Sequence, residues 1–104
     1  MRVWVTRAYL SWINSLRDPV TRARIQVRVD RLVRGNAGVY RSLGGGVSEL
    51  KIDVGPGYRV YFTVRDDAFV ILLAGGDKSS QKRDIETAMA LARDLRISDG
   101  KLWK

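Results

Sequence analysis

Two alternating segments carry the side chains of this 104-residue chain that are best suited to chemistry. Glu49 and Lys51 stand two positions apart in the first segment, and Arg59 and Tyr61 do so in the second. Because side chains alternate across a strand, a hairpin of these segments would bring a carboxylate, two cations and a phenol onto one face, opposite the face that packs on helices. Lys78 follows a glycine pair whose flexible backbone would let the chain pass close to a ligand, so it could join this cluster.

This combination of side chains fits phosphate chemistry best. The chain has no histidine or cysteine, and its carboxylates do not group at metal-ligand spacing, so we expect no metal and no other cofactor. Cleavage of RNA needs a base for the 2′-hydroxyl proton, cations for the transition state and an acid for the leaving 5′-oxygen. Glu49 or Lys51 could be the base, and Arg59 suits a bidentate phosphate contact. The alternative is an ordinary set of exposed cross-strand charge pairs.

The charge of the chain favours a polyanionic partner. The formal net charge is +8, and residues 1–48 hold nine arginines against two aspartates. Nucleic acid is the first partner class that such a field favours, an acidic protein is the second, and a merely solubilising surface is the third. Arginine binds phosphate better than lysine does, because its planar guanidinium donates two hydrogen bonds at once. The second predicted helix has five arginines and no lysine. We therefore predict RNA contacts, rather than a solvated face, for Arg22, Arg24, Arg28 and Arg31.

Hydrophobic spacing predicts the elements that must position these side chains. Val3 and Val5 alternate as in a short strand, and apolar residues at helical spacing follow over residues 9–16. An Asp-Pro pair then starts a second helix over residues 19–34, although residues 24–30 also alternate as a strand would. Residues 39–43 are a short edge segment or an ordered loop. Strands are predicted at residues 47–54, 58–65 and 69–74, the last covered on both faces, before a final helix that starts at residue 79 or 80.

These elements predict an α+β fold of order β-α-α-β-β-β-α. In it, an antiparallel sheet carries two N-terminal helices on one face, and a C-terminal helix follows the strands. We expect a single domain over residues 1–97 and a basic tail over residues 98–104. No apolar run approaches the ~20 residues of a membrane span, and the N-terminus lacks the apolar stretch of a signal peptide. We therefore expect a cytoplasmic protein without a membrane partner.

Three motifs, in this order and at this spacing, resemble a known toxin family. They are Glu-Leu-Lys-Ile at residues 49–52, Gly-Pro-Gly-Tyr-Arg-Val-Tyr-Phe at 55–62, and Leu-Leu-Ala-Gly-Gly-Asp-Lys-Ser-Ser-Gln at 72–81. The chain resembles the phage-type addiction-module killer branch of the RelE/ParE toxin superfamily over residues 5–95. The resemblance implies the same α+β fold, and a toxin of a type II toxin–antitoxin module that causes growth arrest. It also implies a cognate antitoxin, often a helix-turn-helix protein encoded by the adjacent gene.

For RelE-like members the resemblance implies cleavage of messenger RNA on the translating ribosome, without a metal. Such an mRNA interferase is an endoribonuclease that inhibits translation, so the ribosome and mRNA are its expected partners. By position, Lys51 and Arg59 match the basic strand residues that act on the scissile phosphate, and Lys78 lies near the basic position after the last strand. The late tyrosine of some members and the histidines of HigB-like members are absent, which makes Tyr61 and Glu49 the substitutes to test. The alternative is a ParE-like inhibitor that binds DNA gyrase and has no catalytic residues.

Overall fold

The computed structural model describes residues 1–98 and 101–103. The N-terminal half contains a strand, two helices and an edge strand, and the C-terminal half contains three longer strands and the last helix. In chain order these are β1 (Arg2–Val5), α1 (Arg7–Ser15), α2 (Pro19–Val33), β2 (Tyr40–Gly44), β3 (Val47–Ile52), β4 (Tyr58–Arg65), β5 (Phe69–Gly76), a 3₁₀ turn (Lys78–Ser80), α3 (Gln81–Asp94), β6 (Arg96–Ser98) and β7 (Lys101–Trp103).

The second helix forms where the Asp-Pro signal predicted it. The Asp18 side chain accepts hydrogen bonds from the Val20 amide at 3.0 Å and from the Thr21 hydroxyl at 2.9 Å. Pro19 follows at the first helical position, where its missing amide costs nothing. Burial of one helical stripe, which includes Ile25, then outweighs the local strand propensity of residues 24–30. The competing strand interpretation is therefore wrong.

The main sheet has five strands in the order β1-β5-β4-β3-β2. Strands β2 to β5 form an antiparallel meander, and the predicted edge segment at residues 39–43 is the edge strand β2. β1 pairs in parallel with β5, so the sheet is mixed where we expected it to be antiparallel throughout. The two helices carry the chain from β1 to the far edge, and three hairpin turns return it to β1 in the parallel direction.

Apolar side chains fill both faces of the sheet. The core on one face joins α1 and α2 to the sheet through residues such as Ile25, Val29 and Leu50. The core on the other face joins α3 to the sheet through residues such as Leu73 and Ala88. The predicted α+β class, the two helices on one face and the C-terminal helix are confirmed, and β5 is covered on both faces as expected.

A short hairpin follows the last helix. β6 and β7 form a separate two-stranded antiparallel sheet. The basic tail predicted for residues 98–104 falls partly within this hairpin, while residues 99, 100 and 104 lie outside the described part of the chain. None of the helices in the described residues has the length and apolar character needed to cross a membrane.

Candidate active site

The register of the β3–β4 hairpin brings the four predicted side chains onto one face of the sheet. Glu49 lies opposite Tyr61, and Lys51 lies opposite Arg59. Opposed residues of antiparallel strands have Cβ atoms about 4.5–5.5 Å apart, so these four side chains are immediate neighbours. The turn that joins the strands holds Gly57 at φ +77°, a conformation that favours glycine.

This face is largely covered, because α3 packs across it. Tyr61 is fully buried, Glu49 and Arg59 are nearly so, and Lys51 is exposed. The expectation that all four side chains would emerge on a face free of helices is therefore wrong. The helix presents Ala88 to the sheet, and such a small side chain lets the helix approach closely enough to bury long polar residues beneath it.

The Glu49 carboxylate is the centre of a polar network. Its Oε1 atom lies 3.3 Å from the Arg41 Nη2 atom, and its Oε2 atom lies 3.8 Å from the Arg59 Nε atom. The Gln81 side-chain amide donates a hydrogen bond of 3.0 Å to Oε2. Arg59 also donates from Nη1 to the Gly57 carbonyl at 2.6 Å. One carboxylate thus holds two guanidinium groups and the first residue of α3 together.

Arg41 and Gln81 were not among the predicted site residues. Arg41 lies directly opposite Glu49 in the β2–β3 ladder, but the sequence left β2 undecided between an edge segment and a loop and so gave no register for it. Gln81 reaches Glu49 from the start of α3, a contact across 32 residues that no local pattern encodes. A firm strand assignment for residues 40–44 would have been enough to find Arg41.

The two predicted lysines lie at different places around this network. The Lys51 side chain is 56% exposed, and its ammonium lies 3.8 Å from the exposed Asp53 carboxylate. Lys78 begins the 3₁₀ turn, and its amide approaches the Pro56 carbonyl at 3.4 Å. A Cβ atom added to Gly57 would lie 3.2 Å from Arg59 Nη1 and 3.7 Å from the Lys78 Cβ atom. Lys78 therefore stands at the turn end of the same hairpin.

Tyr61 lies beneath the network rather than in solvent. Burial raises the pKa of its phenol well above 10.0, and the negative charges of Glu49 and Asp84 raise this pKa further. Its hydroxyl finds no hydrogen-bond partner of good geometry among the described residues. The phenol therefore stays protonated at neutral pH and is shielded from any bulky substrate.

The four arginines assigned to RNA binding on α2 divide into two pairs. Arg22 donates to the Leu16 carbonyl, and Arg28 donates to the carbonyls of Lys51 at 2.9 Å and Val39 at 3.2 Å. These two guanidinium groups tie α2 to neighbouring chain segments. Arg24 and Arg31 are exposed on the helix. The structure thus leaves half of the predicted arginine face directed to solvent.

The glycine pair before Lys78 is a packing feature, not the flexible turn that the sequence suggested. Gly75 and Gly76 are the last residues of β5. A Cβ atom on Gly75 would lie 2.1 Å from the Trp12 ring, and one on Gly76 would lie 1.8 Å from the Asp84 carboxylate. Glycine is required here because a tryptophan and a carboxylate press on the strand from its two faces.

Above the network lies an open cleft of about 280 Å³. Three cations and one carboxylate contribute to its lining, which consists of Val39, Tyr40, Arg41, Glu49, Lys51, Arg59 and Gln81. Cations that surround a cleft attract and hold an anion such as a phosphate. Glu49 and Lys51 add a proton acceptor and a proton donor beside the same space. No group of three or more metal-ligating side chains forms within the described residues.

One protein family matches most of the chain. The family model described as "Phage derived protein Gp49-like (DUF891)" matches residues 11–96. A protein of Haemophilus influenzae that carries the name "Uncharacterized protein" is 42% identical over 95 residues, which cover 91% of this chain and 96% of that protein. No solved structure matches the chain.

Proposed function

Since the chain belongs to the phage-derived Gp49-like family, we propose that it is the toxin of a type II toxin–antitoxin pair and cleaves messenger RNA on the ribosome. The Gp49-like family is an addiction-module toxin family related to RelE. The cleavage mechanism goes beyond what the family alone implies, and its support is the cleft between β2, β3 and the start of α3. The main support is that Arg41 and Arg59 both contact the Glu49 carboxylate, in a cleft that Lys51 also lines.

The Glu49 carboxylate is itself an anion held by two guanidinium groups, and it indicates where a phosphate could bind in this cleft. Arg41 contacts it with a side chain that is 60% exposed, so this guanidinium can turn from Glu49 to an incoming phosphate at little cost. Arg59 adds a positive charge from the floor of the cleft, and Lys51 adds one from the rim. A phosphate that enters the cleft thus meets three cations, while Glu49 stays beside it.

The proposed reaction is transfer of the phosphoryl group to the neighbouring 2′-oxygen of the RNA. Glu49 takes the proton from the 2′-hydroxyl, whose oxygen then forms a bond to phosphorus. Lys51 gives a proton to the 5′-oxygen as its bond to phosphorus breaks, which leaves a 2′,3′-cyclic phosphate and a free 5′-hydroxyl. Arg41 and Arg59 hold the negative charge that develops on the phosphoryl oxygens. Lys78 contacts the RNA backbone at the turn end of the hairpin, and Tyr61 packs opposite Glu49 without taking part in proton transfer.

The proposed partners are an antitoxin, the ribosome and mRNA. The net charge of +8 suits both an acidic antitoxin and ribosomal RNA. Arg24 and Arg31 are the exposed pair on α2 that would contact RNA. An antitoxin that binds only the folded toxin also raises the apparent stability of the toxin by mass action.

Mapping of transcript 5′ ends shortly after induction tests this proposal in cells. Wild type is compared with Lys51→Ala, which removes a cleft cation, and with Lys82→Ala, which removes an exposed lysine of α3 outside the cleft lining. We expect new ends inside translated frames for wild type and Lys82→Ala, and few for Lys51→Ala. An inhibitor of translation should abolish these ends. Equal numbers of new ends in all three strains would show that the cleft is not the catalytic site.

One observation favours the second candidate, a ParE-like toxin that inhibits DNA gyrase by binding. Tyr61 and Arg59 are buried, and Glu49 already has three partners, as in a structural network that does no chemistry. This candidate predicts growth arrest with intact transcripts and an induced DNA damage response. The transcript map therefore separates the two functions in a single experiment.

A further inference from the structure

The edge strand β2 exposes an aromatic ring beside the cationic cleft. Tyr40 is 54% exposed although it belongs to a strand, and Val39 before it is 84% exposed. Arg41 after it has a side chain that is 60% exposed. Within the described ranges no further strand pairs with β2, so its outer edge is free. Three consecutive exposed residues thus offer apolar surface, an aromatic ring and a cation side by side.

Tyr40 forms a wall of two separate hollows. One is the cleft of about 280 Å³ on the α3 side of the sheet. The other is an open hollow of about 260 Å³ on the α2 side. Tyr40 lies opposite Leu50, whose side chain belongs to the α2 side, whereas Arg41 lies opposite Glu49 on the α3 side. A polymer that crosses the free edge of β2 would therefore touch the ring on one side and the guanidinium on the other.

The second hollow has the size and lining of a site for a flat, mostly apolar group. Sites for drug-sized molecules measure about 300–1,000 Å³, so a hollow just below this range suits a single nucleobase. The ring of Phe62 meets the Tyr40 ring nearly edge-on, with centroids 6.1 Å apart and planes at 64°. No acidic side chain contributes to the lining, which among the described residues consists of Met1, Leu32, Gly35, Ala37, Tyr40, Gly46, Ser48, Phe62 and Val64.

We propose that Tyr40 and Arg41 form a subsite for one nucleotide of single-stranded RNA next to the cleft. The base stacks on the Tyr40 ring in the α2-side hollow, and the adjoining phosphate binds Arg41. Grooves for single strands combine cations that follow the backbone with aromatic rings that stack on bases, and both features meet here on adjacent residues. The subsite rests on the proposed RNA substrate. Because Tyr40 and Arg41 face opposite sides of the sheet, RNA that contacts both must cross β2 rather than run along it.

Binding of short RNA strands to the purified full chain tests the subsite. The probe is a labelled single-stranded RNA whose 2′-oxygens are all methylated, so that it cannot be cleaved, measured by fluorescence anisotropy at low salt. We expect Tyr40→Phe to bind within about twofold of wild type, because the ring is kept. Tyr40→Leu should bind about 5- to 150-fold more weakly, the range for loss of one base stack. Leu10→Ala, which trims another exposed apolar side chain, should bind like wild type.

A series of probes with one base removed makes the test specific. Removal of the base that stacks on Tyr40 should weaken binding of the RNA to wild type by the same factor as the Tyr40→Leu substitution does. The same probe should bind Tyr40→Leu as well as the intact RNA does, because the stack is already lost in that variant. The melting temperature of each variant is measured in parallel, and Arg41→Ala supplies a second variant, at a side chain that is 60% exposed, that should also weaken binding. Unchanged binding by Tyr40→Leu, or equal losses at every position in both proteins, would overturn the subsite.

The same data separate failure of the subsite from failure of the proposed function. RNA binding that depends on Lys51 but not on Tyr40 would refute the subsite alone. A wild-type chain that binds no RNA at low salt would overturn the subsite and remove the support that the cleft gives to the nuclease proposal. Binding of wild type to a second copy of itself, blocked by Tyr40→Leu, would reassign the hollow to a protein interface.

Discussion

Removal of the Glu49 carboxylate is expected to cost the protein a large part of its stability, because Arg59 would stay buried without its counter-charge. The two side chains are 6% and 8% exposed, and the Glu49 Oε2 and Arg59 Nε atoms lie 3.8 Å apart. Deleting one partner of a buried ion pair costs about 3–5 kcal/mol. In a domain of this size about 1 kcal/mol shifts Tm by roughly 4 °C, so we expect Glu49→Ala to lower Tm by roughly 12–20 °C.

Two further variants test whether the lost stability comes from the buried, unpaired charge of Arg59 rather than from the loss of an ion pair as such. Arg41→Ala removes the exposed partner of Glu49 and should cost less than about 1 kcal/mol. The double variant Glu49→Leu with Arg59→Met removes both charges from the interior and should recover most of the stability lost in Glu49→Ala. Thermal and urea unfolding followed by circular dichroism measures all three. A Glu49→Ala variant as stable as Arg41→Ala, or a double variant no more stable than Glu49→Ala, would show that the buried Arg59 charge does not depend on Glu49.

Three other predictions concern the packing of the sheet and the turn before α3. Burial raises the pKa of Tyr9 to about 12, so the folded protein keeps this phenol protonated more firmly than the unfolded chain. The stability that depends on this protonated phenol is complete below pH ~10 and is lost as the pH rises towards ~12. The Tyr9 hydroxyl has no hydrogen-bond partner among the described residues, so Tyr9→Phe should keep its stability over this pH range. Urea unfolding of both proteins at pH 9 and pH 11 measures the difference. Gly75→Ala should cost about 1–3 kcal/mol, because its Cβ atom would lie 2.1 Å from Trp12, and a thermal stability equal to wild type would refute this packing. A hydrogen bond from the Ser79 hydroxyl holds the pKa of Asp77 below 3.8, so the stability from this cap is present at neutral pH and is lost as pH falls below ~4. Asp77→Ala should therefore cost about 0.5–2 kcal/mol at pH 7, and this cost should shrink as the pH is lowered below ~4, as measured by urea unfolding.

Local patterns were sufficient for the helix α2 and for the hairpin that carries the site. Period-two alternation assigned β3 and β4, and pairing across the Gly55-Pro56-Gly57 turn placed Lys51 beside Arg59 as expected. The helix α2 was decided by its Asp-Pro start and its buried stripe, which a single sequence displays. These features are local, since each depends on residues that are near one another in the chain.

The accessibility of the site depended on long-range packing, which local patterns do not encode. Nothing in residues 49–61 indicates that α3 closes over them, and this closure turns Tyr61 and Arg59 from exposed side chains into buried ones. The same contact brings Gln81 to Glu49. Two adjacent glycines usually indicate a turn, but at the end of β5 they make room for Trp12 and Asp84. Such close approaches are visible only once the elements are assembled.

The most direct test of the proposed function is cleavage of one defined mRNA in a reconstituted translation reaction with the purified chain. The reaction is run with and without ribosomes, and wild type is compared with Lys51→Ala and Lys82→Ala. Loss of a group that acts in proton transfer lowers a rate by about 10²–10⁴-fold. We therefore expect cleavage only of translated mRNA, a rate at least about 100-fold lower for Lys51→Ala, and an unchanged rate for Lys82→Ala. Intact mRNA with the wild-type protein, or equal rates for the two variants, would contradict the account.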